Sequence, residues 1–211
     1  QADPMDAVSK DGLVVLESPS DQEWTAFYTD ILKLESFHAL ALDPRILNAL
    51  EHVFGEAVLP HARNICRAIF PNAMKFTTPP HQDYLHIGGT EETYTCWIPL
   101  GDCPLEMGGL AILPGSHKQG LLPAKEAYGA GGMGVDVGGE GWVAADMHCG
   151  DVLMLHSLVV HQGIDNKSDR MRLSVDYRYQ PRSHPVRWDS MQPHNVPLTW
   201  DMVYEDWPAE S

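Results

Sequence analysis

Basic side chains are scarce in this chain. Lysine and arginine number 14 against 29 aspartates and glutamates, a net charge of −15 over 211 residues. A surface of that sign repels phosphate backbones and anionic headgroups, so nucleic acid and membrane are excluded as expected partners. Long apolar runs are missing as well. The richest, "DVLMLHSLVV", falls far short of the roughly 20 residues that a bilayer-crossing helix needs. Cysteine is limited to Cys66, Cys96, Cys103 and Cys149, none in C-x-x-C spacing. No secretory or transit segment is evident at the start, so the four read as reduced thiols of a cytoplasmic protein. No internal repeat appears. What is there is an ordinary globular composition, 44% hydrophobic and 20% charged, in a chain whose length fits one domain, 1–211.

The periodicity divides that domain. Residues from about 18 to 60 read as helical. In "SPSDQEWTAFYTDILKL", Ser20 and Glu23 form a capping box, and Trp24, Phe27, Tyr28, Ile31 and Leu32 fall on one helix face. A second helix is expected from the N-cap Asp43, through Pro44 at its first position, to Phe54, with Gly55 closing it. From about residue 62 to 182 the period becomes two. "NICRAIF", "TYTCWIPL", "GLAILP", "DVLMLHSLVVH" and "MRLSVDYRYQ" are short, rich in β-branched and aromatic residues, and punctuated by Gly and Pro. Serial short strands predict a mainly β fold, a sandwich or jelly roll with the helices packed on one sheet, not alternating β and α units. The segment 129–141, "GAGGMGVDVGGEG", carries seven glycines and predicts a long connection, a lid over one end of the barrel. Residues 183–211 form an aromatic, proline-rich extension expected to wrap the barrel or cover a substrate mouth.

The chemistry concentrates in "TTPPHQDYLHIGG". In an extended segment residues i and i+2 share a face, so His81 and Asp83 project into one space while Gln82 points elsewhere. A third ligand has to come from another strand, and "DVLMLHSLVVH" offers His156 and His161. They are five apart, so an unbroken strand presents them on opposite faces and only one of them can look into the site. Two histidines and one carboxylate on one face of a metal match the facial set of non-haem Fe(II) oxygenases, with positions left open for other ligands. In "RMRLSVDYRYQ" one face reads Arg170, Arg172, Ser174, Asp176, Arg178 and Gln180, and the other is apolar. An arginine with a hydroxyl at i+2, beside a histidine strand, is a carboxylate clamp. Arg178 reads instead as part of a solvent-facing edge.

Taken in order over residues 75 to 180, "HQD", "CWIPLGDCPLEMGGLAILPGSHKQG" and "GDVLMLHSLVVHQGIDNKSDRMRLSVDYRY" resemble the phytanoyl-CoA dioxygenase family, Fe(II)/2-oxoglutarate oxygenases on a double-stranded β-helix of cupin-like form. The resemblance implies His81, Asp83 and His161 as iron ligands, with His156 outside the set. It implies Arg172, eleven residues after His161, as the partner of the far carboxylate of 2-oxoglutarate, and Ser174, Gln82 and Trp97 as co-substrate neighbours. Two residues after His161 the family often has serine, where this chain has Gly163. The implied activity uses Fe(II), 2-oxoglutarate and O2 to oxidise a small molecule with release of succinate and CO2. Because Asp83 is present, hydroxylation is favoured over halogenation, which in relatives goes with a small residue at that position. Without a basic patch, a small organic acid, amine or natural-product scaffold is expected before a coenzyme A thioester, with Tyr84, His86, Met107 and Trp142 as the substrate wall. Two other uses of the barrel compete: a non-oxidative enzyme whose Zn2+ activates water at the same three residues, and a catalytically silent binding protein. Hydrolysis has no use for Arg172, and a silent protein would be expected to have lost a ligand.

Overall fold

The computed structural model describes residues 21–194 and 197–208. Ser20 of the expected capping box, and the first residues of the helical part, lie outside them. Three helices follow: α1 (Asp21–Leu32), α2 (Glu35–Ala41) and α3 (Pro44–Phe54). The last begins and ends as its sequence dictates. Asp43 accepts a hydrogen bond from the Arg45 backbone N–H at 2.8 Å, Pro44 occupies the first turn, and Gly55 closes the helix in the left-handed region at φ 69°. The short α2 is an element that the sequence periodicity did not announce.

The β part is antiparallel throughout. Strands β1 (Val58–Pro60), β2 (Ile65–Ile69), β3 (Tyr94–Pro99), β7 (Leu153–His156) and β9 (Arg172–Pro181) form a five-stranded sheet. The ten-residue β9 is its spine: β1 and β2 pair along one side, β3 along the other, and β7 lies outside β3. A second, two-stranded sheet joins β4 (Leu110–Ile112) to β8 (His161–Gly163), and a third joins β5 (Ala124–Glu126) to β6 (Met133–Val135). Between β2 and β3 a one-turn helix, α4 (Tyr84–Ile87), interrupts the chain, and α5 (Trp200–Tyr204) lies in the C-terminal extension.

The two faces of the large sheet have opposite chemistry. Cys66, Cys96, Ile98, Val175, Tyr177 and Tyr179 turn outward and pack with Tyr28, Leu32, Phe37, Ala41, Ile46 and Leu50 of the helices. Tyr177 and Tyr179 also donate their hydroxyls to the carbonyls of Phe37 (2.6 Å) and Ala41 (2.9 Å), tying α2 to the sheet. The other face carries Arg172, Ser174, Asp176, Arg178 and Gln180, and all five are buried. Polar groups at this density survive burial only when paired or when they serve a ligand. The solvent-facing edge expected at Arg178 is therefore wrong: that side chain is 5% exposed, because the smaller sheet and the 77–87 segment close over this face.

Two further expectations are corrected by the fold. The stretch 151–161 is not one unbroken strand. It turns at 157–160, so β7 joins the large sheet and β8 the small one, and His156 and His161 are separated by a change of sheet and not by strand parity. The glycine-rich stretch 129–141 is not a plain connection either. Its β6 pairs with β5, and Val135 and Ala130 donate to the carbonyls of Pro80 and Thr77 at 2.8 and 3.0 Å.

Candidate metal centre

His81 and His161 are brought together by the backbone. They form an isolated antiparallel bridge, with His81 N–H to His161 O at 2.9 Å and His161 N–H to His81 O at 3.0 Å. Their rings lie 4.2 Å apart between centroids. Directly after His81 the chain leaves the extended state, and Asp83 takes up right-handed helical angles (φ −59°, ψ −31°) at the N-cap of α4. It is the entry into α4, rather than the alternation of a strand, that turns the carboxylate toward the two rings. The ligand atoms of His81, Asp83 and His161 all lie within 4.8 Å of one another, and all three residues are buried.

Each donor atom is oriented from behind. The Nδ1 of His81 donates to Pro79 O at 2.8 Å and that of His161 to Val159 O at 3.0 Å. A carbonyl can only accept, so both rings carry the proton on Nδ1 and turn a bare Nε2 lone pair inward, which is the state a metal requires. Asp83 accepts a hydrogen bond from Thr95 Oγ1 through Oδ2, which leaves Oδ1 facing His81 Nε2 at 3.7 Å. Arg178 Nη2 reaches the same Oδ1 at 3.4 Å. Burial alone would raise the Asp83 carboxyl, but the Arg178 guanidinium and the His81 ring outweigh it and hold the group well below the usual range. Burial, then the neighbouring His81, pushes His161 down to about 4, so its ring is neutral near pH 7. Two neutral imidazoles and one anionic carboxylate fit a divalent first-row cation.

Farther along β9, Arg172 is 1% exposed. Its Nη1 donates to Ser174 Oγ at 3.2 Å, its guanidinium lies 5.3 Å over the Trp97 ring, and its Nε has no partner. Among the described residues no carboxylate stands within ion-pair distance of it. Burial lowers its pKa to about 10, which still leaves it charged. A buried, charged, under-partnered guanidinium is a group waiting for an anion. Arg67 differs in this respect, since Asp176 takes its Nε at 2.5 Å. Two cavities adjoin the metal residues. One, of about 590 Å³, opens beside His81 and Asp83 toward α1 and the C-terminal extension; the other, of about 10 Å³, lies among His161, Trp97, Leu110 and Asp176.

The remaining expected site residues divide. Ser174 and Trp97 stand beside Arg172. Gln82 does not line either cavity: its Nε2 donates to Gly120 O (2.9 Å) and Leu158 O (2.8 Å) and its Oε1 accepts from Leu122 N–H (2.8 Å), so it is a fully engaged strut between loops. His86 lines the large cavity, whereas Tyr84, Met107 and Trp142 line neither; Met107 is packed in a separate cluster with Trp97 and Cys103. His156 sits on β7 opposite Tyr94, outside the metal set. Thr95 and Arg178 were not foreseen. The signal for Thr95 was its position two residues before Trp97 on the same inward face of β3, and for Arg178 it was the parity it shares with Arg172.

Fold and site define a class: a mainly antiparallel β protein whose polar interior gathers a two-histidine, one-carboxylate set able to hold a single metal ion. The chain belongs to the phytanoyl-CoA dioxygenase family, whose model, described as Phytanoyl-CoA dioxygenase (PhyH), matches residues 11–174. It is 34% identical over 167 residues to 1-deoxypentalenic acid 11-beta-hydroxylase of Streptomyces arenae, covering 71% of this chain and 59% of that protein. It is 31% identical over 99 residues to Phytanoyl-CoA dioxygenase of Arabidopsis thaliana, covering 44% and 35%. The chain thus spans about three-fifths of the length of the hydroxylase it matches. Among solved structures, the apo non-heme monooxygenase ThoJ superposes with a TM-score of 0.63 at 22% identity, covering 86% of this chain and 66% of that one. The alpha-ketoglutarate-dependent epimerase SnoN from nogalamycin biosynthesis gives 0.58 at 24% identity, covering 81% and 72%. At these identities the likeness is one of fold.

Proposed function

We propose that the chain, acting as one domain over 1–211, is an Fe(II)/2-oxoglutarate-dependent dioxygenase built on a double-stranded β-helix. In this reading it hydroxylates a small organic molecule with release of succinate and CO2. The observation that carries the proposal is Arg172, charged, buried and without a carboxylate partner among the described residues. An uncompensated buried charge costs several kcal/mol, and a dicarboxylate co-substrate would cancel it. A water-activating zinc hydrolase would leave it unexplained. The relative's name, a hydroxylase, agrees with the oxidative reading.

When bound, Fe(II) with 2-oxoglutarate and O2 supplies the oxidising chemistry. The chain's own residues do the rest. His81 and His161 present Nε2, Asp83 presents Oδ1, and Thr95 holds the other carboxylate oxygen so that the anion cannot rotate away. Arg172 and Ser174 take the far carboxylate of the co-substrate, with Trp97 as the wall beside it. Seating it requires Trp97 and Leu110 to draw apart, since the space there is about 10 Å³. The larger cavity takes the primary substrate and keeps bulk water from the metal residues.

The test is a titration with 2-oxoglutarate under nitrogen in the presence of Fe(II), following the weak visible charge-transfer band of the chelate. Arg172→Met keeps most of the length and removes the charged hydrogen bonds, worth roughly 1.5–3 kcal/mol each, so affinity should fall on the order of tens- to thousands-fold. Iron content should hold, because Arg172 is not a ligand. Equal affinities in the two proteins would sink the co-substrate assignment.

A further inference from the structure

A chain with a net charge of −15 sets four of its eight arginines, Arg63, Arg67, Arg178 and Arg187, on the wall of the 590 Å³ cavity, and none of its lysines. On the metal side, Arg67 is matched by Asp176 and Arg178 by Asp83. At the opposite rim the balance differs. Arg63 (3.5 Å) and Arg187 (2.6 Å) share one carboxylate, Asp189. Arg187 uses Nη2 for that contact, and its Nε and Nη1 have no partner among the described residues. The side chain is also seated. Its stem crosses Gly88, where φ is +59° and a Cβ would come within 2.3 Å of Arg187 Cδ, so only glycine lets the guanidinium lie at this rim. The histidines in the cavity wall add no positive charge near pH 7: burial lowers His61 to about 4 and His194 to about 3, and His86 is lowered as well. Between the rim and the metal residues the wall is apolar, with Trp24, Ile65, Phe76 and Leu85.

We infer that the primary substrate is a compact apolar molecule bearing a single carboxylate, which Arg187 grips at the rim beside Arg63 while the carbon body lies against Trp24 and Phe76 with a C–H bond toward the metal residues. The inference rests on the oxygenase reading for the last clause alone. Two guanidinium groups over one aspartate leave room for one further monoanion, which fits a carboxylate and not the several phosphates of a coenzyme A thioester. A guanidinium fork takes a carboxylate through two hydrogen bonds, a geometry that a neutral amide or alcohol cannot match.

The probes are adamantane-1-carboxylate and its carboxamide, equal in carbon skeleton and different in charge. Binding is measured by calorimetry on the full chain loaded with Mn(II) and saturated with 2-oxoglutarate under nitrogen, so that the co-substrate clamp is filled. The acid should bind about tenfold or more tightly than the amide, as expected for a charged hydrogen bond. Arg187→Met should erase that preference, Arg187→Lys should retain part of it, and Arg172→Met should leave it intact. Arg187 is half exposed, and a circular-dichroism melt confirms that each variant is folded. Equal binding of acid and amide, no binding of either, or a preference that survives Arg187→Met would overturn the inference. So would a preference lost in Arg172→Met, which would place the probe in the co-substrate clamp. If the chelate band failed to form while the acid preference followed Arg187, the oxygenase reading would fall and the anion site would stand.

Discussion

Thr95 and Arg178 decide how well Asp83 can serve a metal. A carboxylate entering a helix has a free χ2, and without a partner on Oδ2 it would spend part of its time turned away from the two imidazoles. Replacing Thr95 by valine keeps the shape and removes the donor. Loss of such an outer hydrogen bond to a ligand typically costs about 10- to 100-fold in metal affinity. Anaerobic Co(II) titration, read in the visible bands of the bound ion, should show that weakening in Thr95→Val, while Asp83→Ala should fail to assemble the site. Unchanged affinity in Thr95→Val would mean that Arg178 alone orients Asp83. His81, Asp83 and His161 were legible because a metal site needs a rare combination of residue types, and a short H-x-D followed much later by a histidine is visible in a string of letters. Arg178 was not legible. Strict alternation says which residues share a face, but not which face is turned to water, and here the closing of one sheet over the other buried the polar one.

At the level of elements, the helix α3 and the strands β2, β3 and β9 could be read from their periods because each runs long enough to show one and ends at its own cap or at Gly and Pro. The helix α2 could not. In "ESFHALA" just two residues, Phe37 and Ala41, are buried, too few to set a period. The break between β7 and β8 was hidden for a different reason. "HSLVVH" contains no glycine or proline, and the turn is held by tertiary bonds, Ser157 N–H to Thr93 O at 2.8 Å and Ser157 Oγ to Glu91 O at 2.5 Å. Close packing of β8 also explains the departure at Gly163. A Cβ there would meet Thr77 Cγ2 at 2.9 Å and Thr78 N at 3.1 Å, so the serine frequent in the family has no space in this chain. Gly163→Ser should push β8 away from the 77–78 segment, two residues from His161, and weaken metal binding without unfolding the protein. A Co(II) titration alongside a thermal melt separates the two effects, and wild-type affinity in a folded Gly163→Ser protein would show that the strand accommodates the side chain.

Across the whole molecule the charge is divided, acidic outside and arginine-rich within, and this division sets the acid response. His61 lines the large cavity at 2% exposure; its Nε2 donates to Gln180 Oε1 at 2.9 Å and its Nδ1 has no partner. Burial, opposed by that hydrogen bond and aided by the Arg178 charge, lowers its pKa from 6.5 to about 4. Between those values the unfolded chain binds a proton that the folded chain refuses. The neutral ring therefore contributes its full stabilising difference above the unfolded pKa, and that contribution is lost as pH falls from about 6.5 toward 4, at most about 3 kcal/mol for this residue. Asp83 adds to the loss at still lower pH, since a carboxyl held low in the folded state favours folding above its unfolded value and loses that advantage on protonation. Denaturation measured at about pH 7.5 and about pH 5 should thus show a clear drop in stability at the lower value. His61→Gln, which does not titrate and still offers an N–H to Gln180, should flatten the profile over that interval. An identical profile in the variant would mean that His61 binds its proton in the folded state as easily as in the unfolded one.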